Sequence, residues 1–489
     1  MTKQYLLANL LLFCFVQMVN AQPVTLDPTF GQDGISVIPN TTEIRLLEFD
    51  NSGNIIAVGY TLEENKYYLT VVKTNSEGAL DLNFGNNGIV KGTEINKDGQ
   101  IGLRITNGNK IFITGSLYVD QYEASIRTYL QYNEDGSVDE TFGENGKIII
   151  SNTNVSVTSL HIENDDFLLF GGYDSNPPND PLILKRKYDG TLDESFGENG
   201  IVYLTDNETY RIYPVAIKIL RDLSILIVGN NTIPYVVEKS AFCKISSNGN
   251  LVTEFANNGI CSITSENPIP EIFEGLVGAI EDNEGNIVLH GSTYHMDGFQ
   301  YRLFICSFHS NGIINSYFGK NGFFNCYNGG AFLRPIYQNI IQNGNKYIAV
   351  FQDKKIISIN NNGTLDTMFN NTGIFICENY YFKEVKFQGT NKLILGGSYN
   401  DSFSLVRLNI QSNVSAKQPT AFDSSNIFPN PAKDILYLKT EAQFEIFDIS
   451  GRKQKAEGRR ENAVDISSLN KGIYFIRFED GRVEKFVKE

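Results

Sequence analysis

The sequence contains no tryptophan, only four histidines and only six cysteines among its 489 residues. No CxxC pair occurs, which argues against a zinc ribbon. HExxH, GxSxG and Walker-type segments are also missing, so nothing indicates a common metalloprotease, serine hydrolase or nucleotide site. Basic residues are few, because 41 Lys and Arg stand against 56 Asp and Glu, for a net charge of −15. A nucleic-acid partner would need a basic face and is not expected.

Long apolar runs are equally rare. The one clear example is LLANLLLFCFV at 6–16, which follows Lys3 and is too short to be a permanent transmembrane helix. Together with the small residue before position 22, it predicts a signal peptide at 1–21, cleaved between Ala21 and Gln22. We expect no transmembrane segment elsewhere in the chain.

One short segment recurs seven times along the chain, and we call it the repeat motif. Its most complete form is GSVDETFGENG at 136–146, and each copy centres on a phenylalanine. The central phenylalanines are Phe30, Phe84, Phe142, Phe196, Phe255, Phe318 and Phe369. The gaps between them are 54, 58, 54, 59, 63 and 51 residues. Such a period indicates one structural unit repeated, not several unrelated domains.

The segments between the motifs carry β-strand signals. Runs of four to nine mainly apolar and β-branched residues, such as KIFITGSL at 110–117 and SIRTYLQYN at 125–133, are separated by Gly, Asn and Asp turns. No segment of this length shows a convincing helical period. Four strands in each of seven periods predict an all-β chain folded as a seven-bladed β-propeller.

The two ends of the repeat array complement each other. The array begins with a motif and one strand at 34–38, and it ends with three strands at 382–387, 392–398 and 403–410. Seven complete blades therefore require the N-terminal strand to complete the last blade, which closes the ring and removes its open edges. The motif then joins the third and fourth strands of each blade, and its phenylalanine is expected to pack beneath the turn as a core plug.

The repeat resembles a known family. The segment LDESFGENG at 192–200, and runs such as GNIIAVG at 53–59, resemble the delta-60 repeat, a β-propeller family of secreted bacterial proteins. The resemblance covers about 26–411 and implies a fold without an activity. We assign 22–411 to the propeller and the polar segment 412–424 to a linker.

The C-terminal part, 425–489, has a different pattern, in which a proline-asparagine-proline turn is followed by strands of even spacing. The residues that define this pattern are Pro429, Asn430, Pro431, Asp448, Gly451, Arg452, Leu469, Gly472, Ile473, Tyr474, Lys485, Phe486, Val487 and Lys488. They resemble the type A C-terminal sorting domain of the type IX (Por) secretion system. The resemblance implies a small β-sandwich, a Bacteroidota-type host, and as partners an outer-membrane translocon and its sorting peptidase. The protein would be secreted or attached to the outer-membrane surface.

Four cysteines occupy neighbouring predicted strands. Cys243 and Cys306 lie on third strands, and Cys261 and Cys326 lie on the fourth strands that follow. Adjacent strands of one blade could bring each pair within disulfide distance. We therefore predict the disulfides Cys243–Cys261 and Cys306–Cys326, with Cys377 unpaired. The alternative is that all five are buried thiols that act as small hydrophobic residues.

No cofactor, metal ligand or catalytic residue can be assigned from the sequence. His290 and His295 are only five residues apart, but a metal site needs three or four converging ligands. The acidic turns at 133–136 and 282–285 lack the ligand series of an EF-hand, and ordinary turn chemistry explains them. A pair of catalytic carboxylates cannot be recognised in one dimension, because its separation is not encoded in spacing.

The leading functional interpretation is a non-enzymatic, monomeric surface or secreted propeller that binds an extracellular protein or glycan. The variable loops at 174–181, 264–275 and 294–301 are the expected contact regions. One alternative is an exported polysaccharide hydrolase or lyase, which would require carboxylates, His or Tyr that converge at the channel mouth. Another is a structural or adhesive surface protein.

Overall fold

The structure is a computed structural model made of strands and turns, and no helix that could span a bilayer occurs in the described part of the chain. Two compact units are present, one that ends at Ser412 and one that begins at Asn413. The described residues are 23–96, 99–119, 124–150, 155–163, 167–176, 178–205, 210–231, 239–263, 272–295, 300–325, 338–351, 354–378, 380–410, 427–428, 432–448, 452–478 and 483–488.

The first unit contains, within these ranges, seven antiparallel sheets that we call blades 1 to 7. It begins with β1 (Thr25–Leu26) and β2 (Ile35–Ile38), which belong to blade 7. Blade 1 comprises β3 Glu43–Phe49, β4 Ile55–Glu63, β5 Lys66–Thr74 and β6 Ile89–Glu94. Blade 2 comprises β7 Gly102–Ile105, β8 Ile111–Val119, β9 Ala124–Tyr132 and β10 Lys147–Ile149. Blade 3 comprises β11 Val155–Glu163, β12 Phe167–Asp174, β13 Pro181–Lys187 and β14 Ile201–Tyr203. Blade 4 comprises β15 Ile212–Ile219, β16 Ile225–Asn231, β17 Lys239–Ile245 and β18 Ile260–Ile263, and blade 5 comprises β19 Ile272–Glu281, β20 Ile287–His295, β21 Gln300–Phe308 and β22 Phe323–Asn325. Blade 6 comprises β23 Gln338–Asn343, β24 Lys346–Phe351, β25 Lys355–Asn360 and β26 Ile374–Ile376. Blade 7 contains β27 Tyr381–Gln388, β28 Lys392–Tyr399 and β29 Ser402–Asn409.

The first strands of the blades form the innermost ring. Each contacts the first strand of the next blade, in the order β3, β7, β11, β15, β19, β23, β27 and back to β3. They therefore surround the central channel of a propeller. The all-β propeller fold predicted from the repeat is confirmed.

The N-terminal strand closes the ring as predicted. β2 pairs antiparallel with β29, from Ile35 opposite Val406 to Ile38 opposite Phe403. Strand β1 continues this pairing at the other end of β29. Blade 7 thus combines the first and last strands of the repeat array, and β1 and β2 cover the edge of β29.

Five copies of the repeat motif form a hydrogen bond to the next blade. The residue after the central phenylalanine donates its N–H to a turn carbonyl of the following blade at 2.7–2.8 Å. The donor and acceptor residues are Gly31 and Glu77, Gly85 and Asp135, Gly197 and Asn248, Ala256 and Asn311, and Gly319 and Asn362. A turn glycine then covers the ring, and a Cβ at Gly78, where φ is +81°, would lie 2.7 Å from Phe30. Five of the seven motif phenylalanines are buried, whereas Phe142 and Phe369 are only partly so.

A bulge shapes the innermost strands. In β3 the register with β4 shifts between Ile44 and Leu46, and the carbonyl oxygen of Glu43 reaches the backbone of Gly59. A Cβ at Gly59 would lie 1.9 Å from that oxygen, so only glycine fits beside the bulge. This explains the glycine in the GNIIAVG run. The bulge also turns the side chain of Arg45 out of the regular alternation of the strand.

The second unit is a small all-β domain. Its described strands are β30 Ile427–Phe428, β31 Ile435–Asp448, β32 Lys453–Asp465, β33 Gly472–Phe478 and β34 Val483–Lys488. The long strand β31 pairs with β30, β32 and β33, and its register with β32 shifts three times. Its core contains Leu436, Ile446, Ile466, Ile476 and Phe486, which are fully buried.

The predicted disulfide Cys243–Cys261 is wrong, and strand register gives the reason. Cys243 lies opposite Ile260, and Cys261 lies opposite Phe242. The two cysteines are one residue out of register, so their side chains point to opposite faces of the sheet. Both are free thiols, as is Cys377, which was predicted to be unpaired.

The second predicted pair, Cys306–Cys326, is not formed in the described structure. Cys306 is a free thiol opposite Phe323, and Cys326 lies outside the described residues. Cys306 instead shares a hydrophobic cluster between blades 4 and 5 with Cys261. Burial raises the pKa of the Cys243 and Cys261 thiols to about 12, so they behave as hydrophobic residues.

These thiols should resist modification in the folded protein. Brief treatment of the native chain with iodoacetamide is expected to leave Cys243 and Cys306 unmodified, because both are buried and the thiolate is the reactive form. Peptide mapping by mass spectrometry checks this, with urea-unfolded protein as the fully modified control. A peptide pair cross-linked through Cys243 and Cys261 would contradict the strand register.

Candidate functional site

Several predicted site residues lie outside the described part of the chain. These are the signal cleavage residues Ala21 and Gln22, the turn Pro429-Asn430-Pro431, and Gly451. Their roles stay predictions. The loop segments 264–271 and 296–299 also lie outside it.

The described residues of the sorting pattern divide into core and turn positions. Leu469, Tyr474 and Phe486 are buried in the second unit, where Tyr474 stacks on Phe486 with 5.6 Å between ring centroids. The Tyr474 hydroxyl donates to the carbonyl oxygen of Asn470 at 2.9 Å. The turn is closed by Arg452, whose N–H donates to Asp448 Oδ1 at 3.1 Å.

The remaining residues of the sorting pattern that the structure describes lie on the paired strands β33 and β34. Gly472 lies opposite Lys488, Ile473 opposite Val487, and Lys485 opposite Phe475. Ile473 is 42% exposed although it is a large apolar residue. Most of the pattern is therefore explained by folding of the domain, and Ile473 is available for contact.

The loop at 174–181 connects β12 to β13 within blade 3 and contacts the start of blade 4. Asp174 Oδ1 accepts the N–H of Asn176 at 2.8 Å, and Asp180 forms an ion pair of 3.1 Å with Arg211. The Tyr213 hydroxyl donates to the carbonyl oxygen of Asn179 at 3.2 Å. These contacts anchor the loop, so it presents a fixed surface.

A group of charged side chains on the innermost strands is the strongest candidate site. We call it the inner charge cluster, and it consists of Glu43, Arg45, Glu48, Arg104, Lys383 and Lys386. Its members come from β27 of blade 7, β3 of blade 1 and β7 of blade 2. Lys383 and Lys386 are more than 300 residues away from Glu43, Arg45 and Glu48 in the sequence, and closure of the ring brings them together.

The first half of the cluster centres on Glu43. Its carboxylate lies 2.9 Å from Arg45 Nε and 3.7 Å from Lys383 Nζ, and it accepts the Tyr60 hydroxyl at 3.1 Å. Burial and the charge of Glu43 raise the pKa of Tyr60 to about 12, so its hydroxyl stays a neutral donor. Burial lowers the pKa of Lys383, although Glu43 opposes this effect.

The second half centres on Lys386. Its ammonium group donates to Glu48 Oε1 at 2.8 Å. Burial alone would lower the pKa of Lys386, but Glu48 and Glu384 outweigh it and raise the pKa above its usual range. The charge of Arg104 lowers the pKa of Lys386, so a further cation lies near the pair formed by Lys386 and Glu48. Arg104 Nε has no hydrogen-bond partner among the described residues.

The cluster was missed in the sequence because its charges alternate with core residues in ordinary amphipathic strands. The segments EIRLLEF and YFKEVKFQ read as half-buried strands, and each carries its charges on both sides of a buried residue. The available signal was the predicted ring closure. It implies that the first strand of blade 7 lies next to that of blade 1.

The carboxyl groups with shifted pKa values all shift downward. For Asp139, hydrogen bonds from Lys110 and Thr141 outweigh burial and hold the pKa well below its usual range. For Asp27, burial would raise the pKa, but hydrogen bonds from Lys392 and Thr29 and the charge of Arg407 lower it. Such groups stay ionised at neutral pH, whereas a general acid needs a raised pKa.

Potential metal ligands do not converge in the described part of the chain, where no group of three or more is found. His290 is buried, and burial lowers its pKa to about 4. In the acidic turn at 282–285, Asp282 accepts N–H groups from Glu284 and Asn286. Its second oxygen accepts the Tyr347 hydroxyl at 2.8 Å, so its acceptor sites serve the turn and the neighbouring blade.

Comparison with known families identifies the C-terminal segment. Residues 426–489 match the family model of the secretion system C-terminal sorting domain. Comparison with curated proteins gives no match. The second unit therefore contains a type IX sorting domain, and the protein is secreted or attached to the outer-membrane surface.

Three solved structures are similar at low identity. PorZ, a surface component of the type IX secretion system of Porphyromonas gingivalis, is 9% identical with a TM-score of 0.38, over 91% of this chain and 59% of PorZ. An ulvan lyase, a polysaccharide lyase, is 9% identical with a TM-score of 0.42, over 78% and 93%. The β-propeller domain of the trilobed protease of Pyrococcus furiosus is 11% identical with a TM-score of 0.38, over 78% and 99%. The chain thus spans 59% of the length of PorZ.

Proposed function

We propose that the protein is an exported propeller that binds an acidic glycan or an acidic protein segment at the inner charge cluster, without turnover. The observation that carries this proposal is the convergence of four cations, from Arg45 to Lys386, on the innermost strands of three adjacent blades. Three carboxylates oppose them, Glu43 and Glu48 within the cluster and Glu384 beside Lys386. In a chain of net charge −15, such a local excess of positive charge attracts anionic partners.

The electrostatics favour binding over hydrolysis. Glu43 is held by Arg45, Lys383 and Tyr60, and Glu48 is held by Lys386. Both carboxylates are therefore engaged by neighbouring cations and not by a substrate. An exported hydrolase or lyase remains the second candidate function, because Tyr60 and several cations do lie together at this site.

Export depends on parts of the chain other than the inner charge cluster. We propose that the signal peptide 1–21 directs the chain across the inner membrane and that the sorting domain then engages the translocon. A sorting peptidase would release the propeller, cutting within the linker 412–424. The exposed side chain of Ile473 is a contact point for this machinery.

The binding proposal predicts selective binding of acidic glycans. On an array of acidic and neutral glycans, the full mature chain should bind acidic members, and a Lys383→Ala variant should bind them at least tenfold more weakly, because one cation is lost. Lys66→Ala, which removes an exposed cation far from the first strands, is the matched control and should bind like the wild type. Equal binding by all three proteins would place the site elsewhere.

A further inference from the structure

The seam between blades 2 and 3 departs from the repeat. In five other copies the residue after the motif phenylalanine donates to the next blade, but within the described residues Gly143 forms no such bond. The turn glycine of blade 3, Gly190, lies over Ile148 and Ile150 and not over Phe142. This motif phenylalanine is also only partly buried. The two blades are therefore less tightly joined here than at the five seams where that bond is formed.

A cavity of about 320 Å³ lies in this seam. Its apolar wall is made by Ile126, Ile150, Val157, Phe170 and Leu184. Its polar wall includes two guanidinium groups, those of Arg127 and Arg186. The cavity is thus apolar on one side and cationic on the other.

Neither guanidinium has a carboxylate at ion-pair distance in the described part of the chain. Arg127 donates to the carbonyl oxygen of Gln100 at 2.6 Å, and Arg186 donates to that of Gly190 at 2.7 Å. Arg127 Nε is buried and has no hydrogen-bond partner among the described residues. Burial lowers the pKa of Arg127 to about 10, so it is still a cation at neutral pH. A buried cation without a counter-charge is costly to the fold.

A third polar group is close to both arginines. Tyr129 is fully buried, its ring is parallel to that of Phe170 at 6.3 Å, and its hydroxyl has no partner among the described residues. The charges of Arg186 and Arg127 both act on this hydroxyl. Burial keeps it protonated by raising the pKa of Tyr129. Tyr129 does not line the cavity itself but lies against Phe170, which does.

The other blades show that the fold does not need these three residues. Strand pairing aligns the blades, because Tyr129 lies opposite Ile148 just as Val71 lies opposite Val90. In the other six blades the position of Tyr129 holds Val71, Ile183, Phe242, Ile305, Ile356 and Leu405. The position of Arg186 holds Thr74, Tyr132, Ile245, Phe308, Ile359 and Leu408, and that of Arg127 holds Leu69, Pro181, Ser240, Leu303, Lys354 and Phe403. Single polar residues occur at these positions in other blades, among them Thr74, Ser240 and Lys354, but two arginines and a tyrosine occur together at this seam alone, and such a departure points to a function.

We propose that the cavity between blades 2 and 3 binds a small organic carboxylate. The planar carboxylate would accept hydrogen bonds from Arg127 and Arg186, since guanidinium groups match its geometry. Its hydrocarbon part would lie against Phe170 and Leu184. A volume of about 320 Å³ suits a small molecule and is too small for a folded partner. The site is separate from the inner charge cluster, so this proposal does not depend on the proposed function.

Calorimetric titration of the full chain tests the proposal, with benzoate and hexanoate as carboxylate probes and sulfate as an anion without a hydrocarbon part. Both carboxylates are expected to bind. Arg186→Ile and Arg127→Leu introduce residues that blades 4 and 1 carry at the same positions, and each should weaken binding at least tenfold. Lys187→Leu, which changes the exposed neighbour of Arg186, is the control and should leave binding unchanged.

Thermal unfolding of the same variants separates a binding role from a structural role. If the arginines serve a ligand, the apolar replacements will keep or raise the melting temperature while they abolish binding, because an uncompensated buried cation is removed. The proposal is overturned if neither carboxylate binds the wild type or if the variants bind equally well. Binding of sulfate alone, or a loss of stability in both variants, would also overturn it.

Discussion

Replacement of Arg407 by alanine is expected to lower the free energy of unfolding by about 3–5 kcal/mol, as is usual when one member of a buried ion pair is removed. Arg407 is only 1% exposed and joins three parts of the chain. Its Nε lies 2.8 Å from Asp27 of the N-terminal motif, and it also contacts Glu77 of blade 1. It donates as well to the carbonyl oxygen of Ser76 at 2.9 Å. The substitution would leave Asp27 without one of its two cationic partners at the closure of the ring.

Urea unfolding followed by circular dichroism measures this effect, since the chain has no tryptophan for fluorescence. Lys66→Ala is the control, because Lys66 and Glu94 form an ion pair of similar length, 2.8 Å, at the exposed surface. It should change the free energy of unfolding far less than Arg407→Ala, because exposed ion pairs contribute little. Arg407→Lys keeps the charge but not the forked geometry and should fall between the two. Equal stability of Arg407→Ala and Lys66→Ala would show that the ends of the ring are not held by this residue.

Phe196→Ala should destabilise the propeller by about 3–5 kcal/mol, which is the usual cost of removing a fully buried phenylalanine. Phe196 is fully buried at the seam between blades 3 and 4, and the N–H of Gly197 donates to blade 4 beside it. The substitution would leave a cavity beneath a hydrogen-bonded turn, which cannot easily collapse.

The same substitution at Phe142 is the matched comparison. Phe142 occupies the identical motif position but is only partly buried, at the seam where the interblade hydrogen bond is not formed. We expect Phe142→Ala to cost about 1–2 kcal/mol by urea unfolding. A cost as large as that of Phe196→Ala would mean that the seam between blades 2 and 3 is packed as tightly as the others.

The repeat made the fold predictable. Its period predicted the number of blades. The array begins with one strand and ends with three, so a complete last blade required the pairing that β2 and β29 show. Burial of the motif phenylalanines followed from the same reasoning. The partial exposure of Phe142 could not be predicted from its motif. Burial of a motif phenylalanine depends on how the turn of the next blade packs over it, and the motif itself does not encode that packing.

The cysteines show where such reasoning ends. Adjacency of the strands that carry Cys243 and Cys261 was predicted correctly, but their register was not. A shift of one residue moves a side chain to the opposite face of a sheet, so strand adjacency alone cannot establish a disulfide. Register depends on the geometry of the turn between the strands, which spacing does not reveal.

The candidate sites were out of reach for a related reason. The inner charge cluster joins residues from blades at opposite ends of the array, and the cavity at blades 2 and 3 depends on Arg127 and Arg186, which lie on different strands. In the sequence each of these residues is one charge within an ordinary strand. Alignment of the blades by their strand pairing is what reveals that Arg127, Tyr129 and Arg186 interrupt an apolar pattern.

The central claim is that the propeller binds an acidic partner at the inner charge cluster without changing it. The most direct test is a calorimetric titration of the full mature chain, wild type and Lys383→Ala, with the best acidic glycan from the array, followed by analysis of the recovered glycan after prolonged incubation. The account predicts at least tenfold weaker binding by the variant and an intact glycan from both proteins. Equal affinity of the two proteins, or new chain ends in the glycan recovered from the wild type, would contradict it.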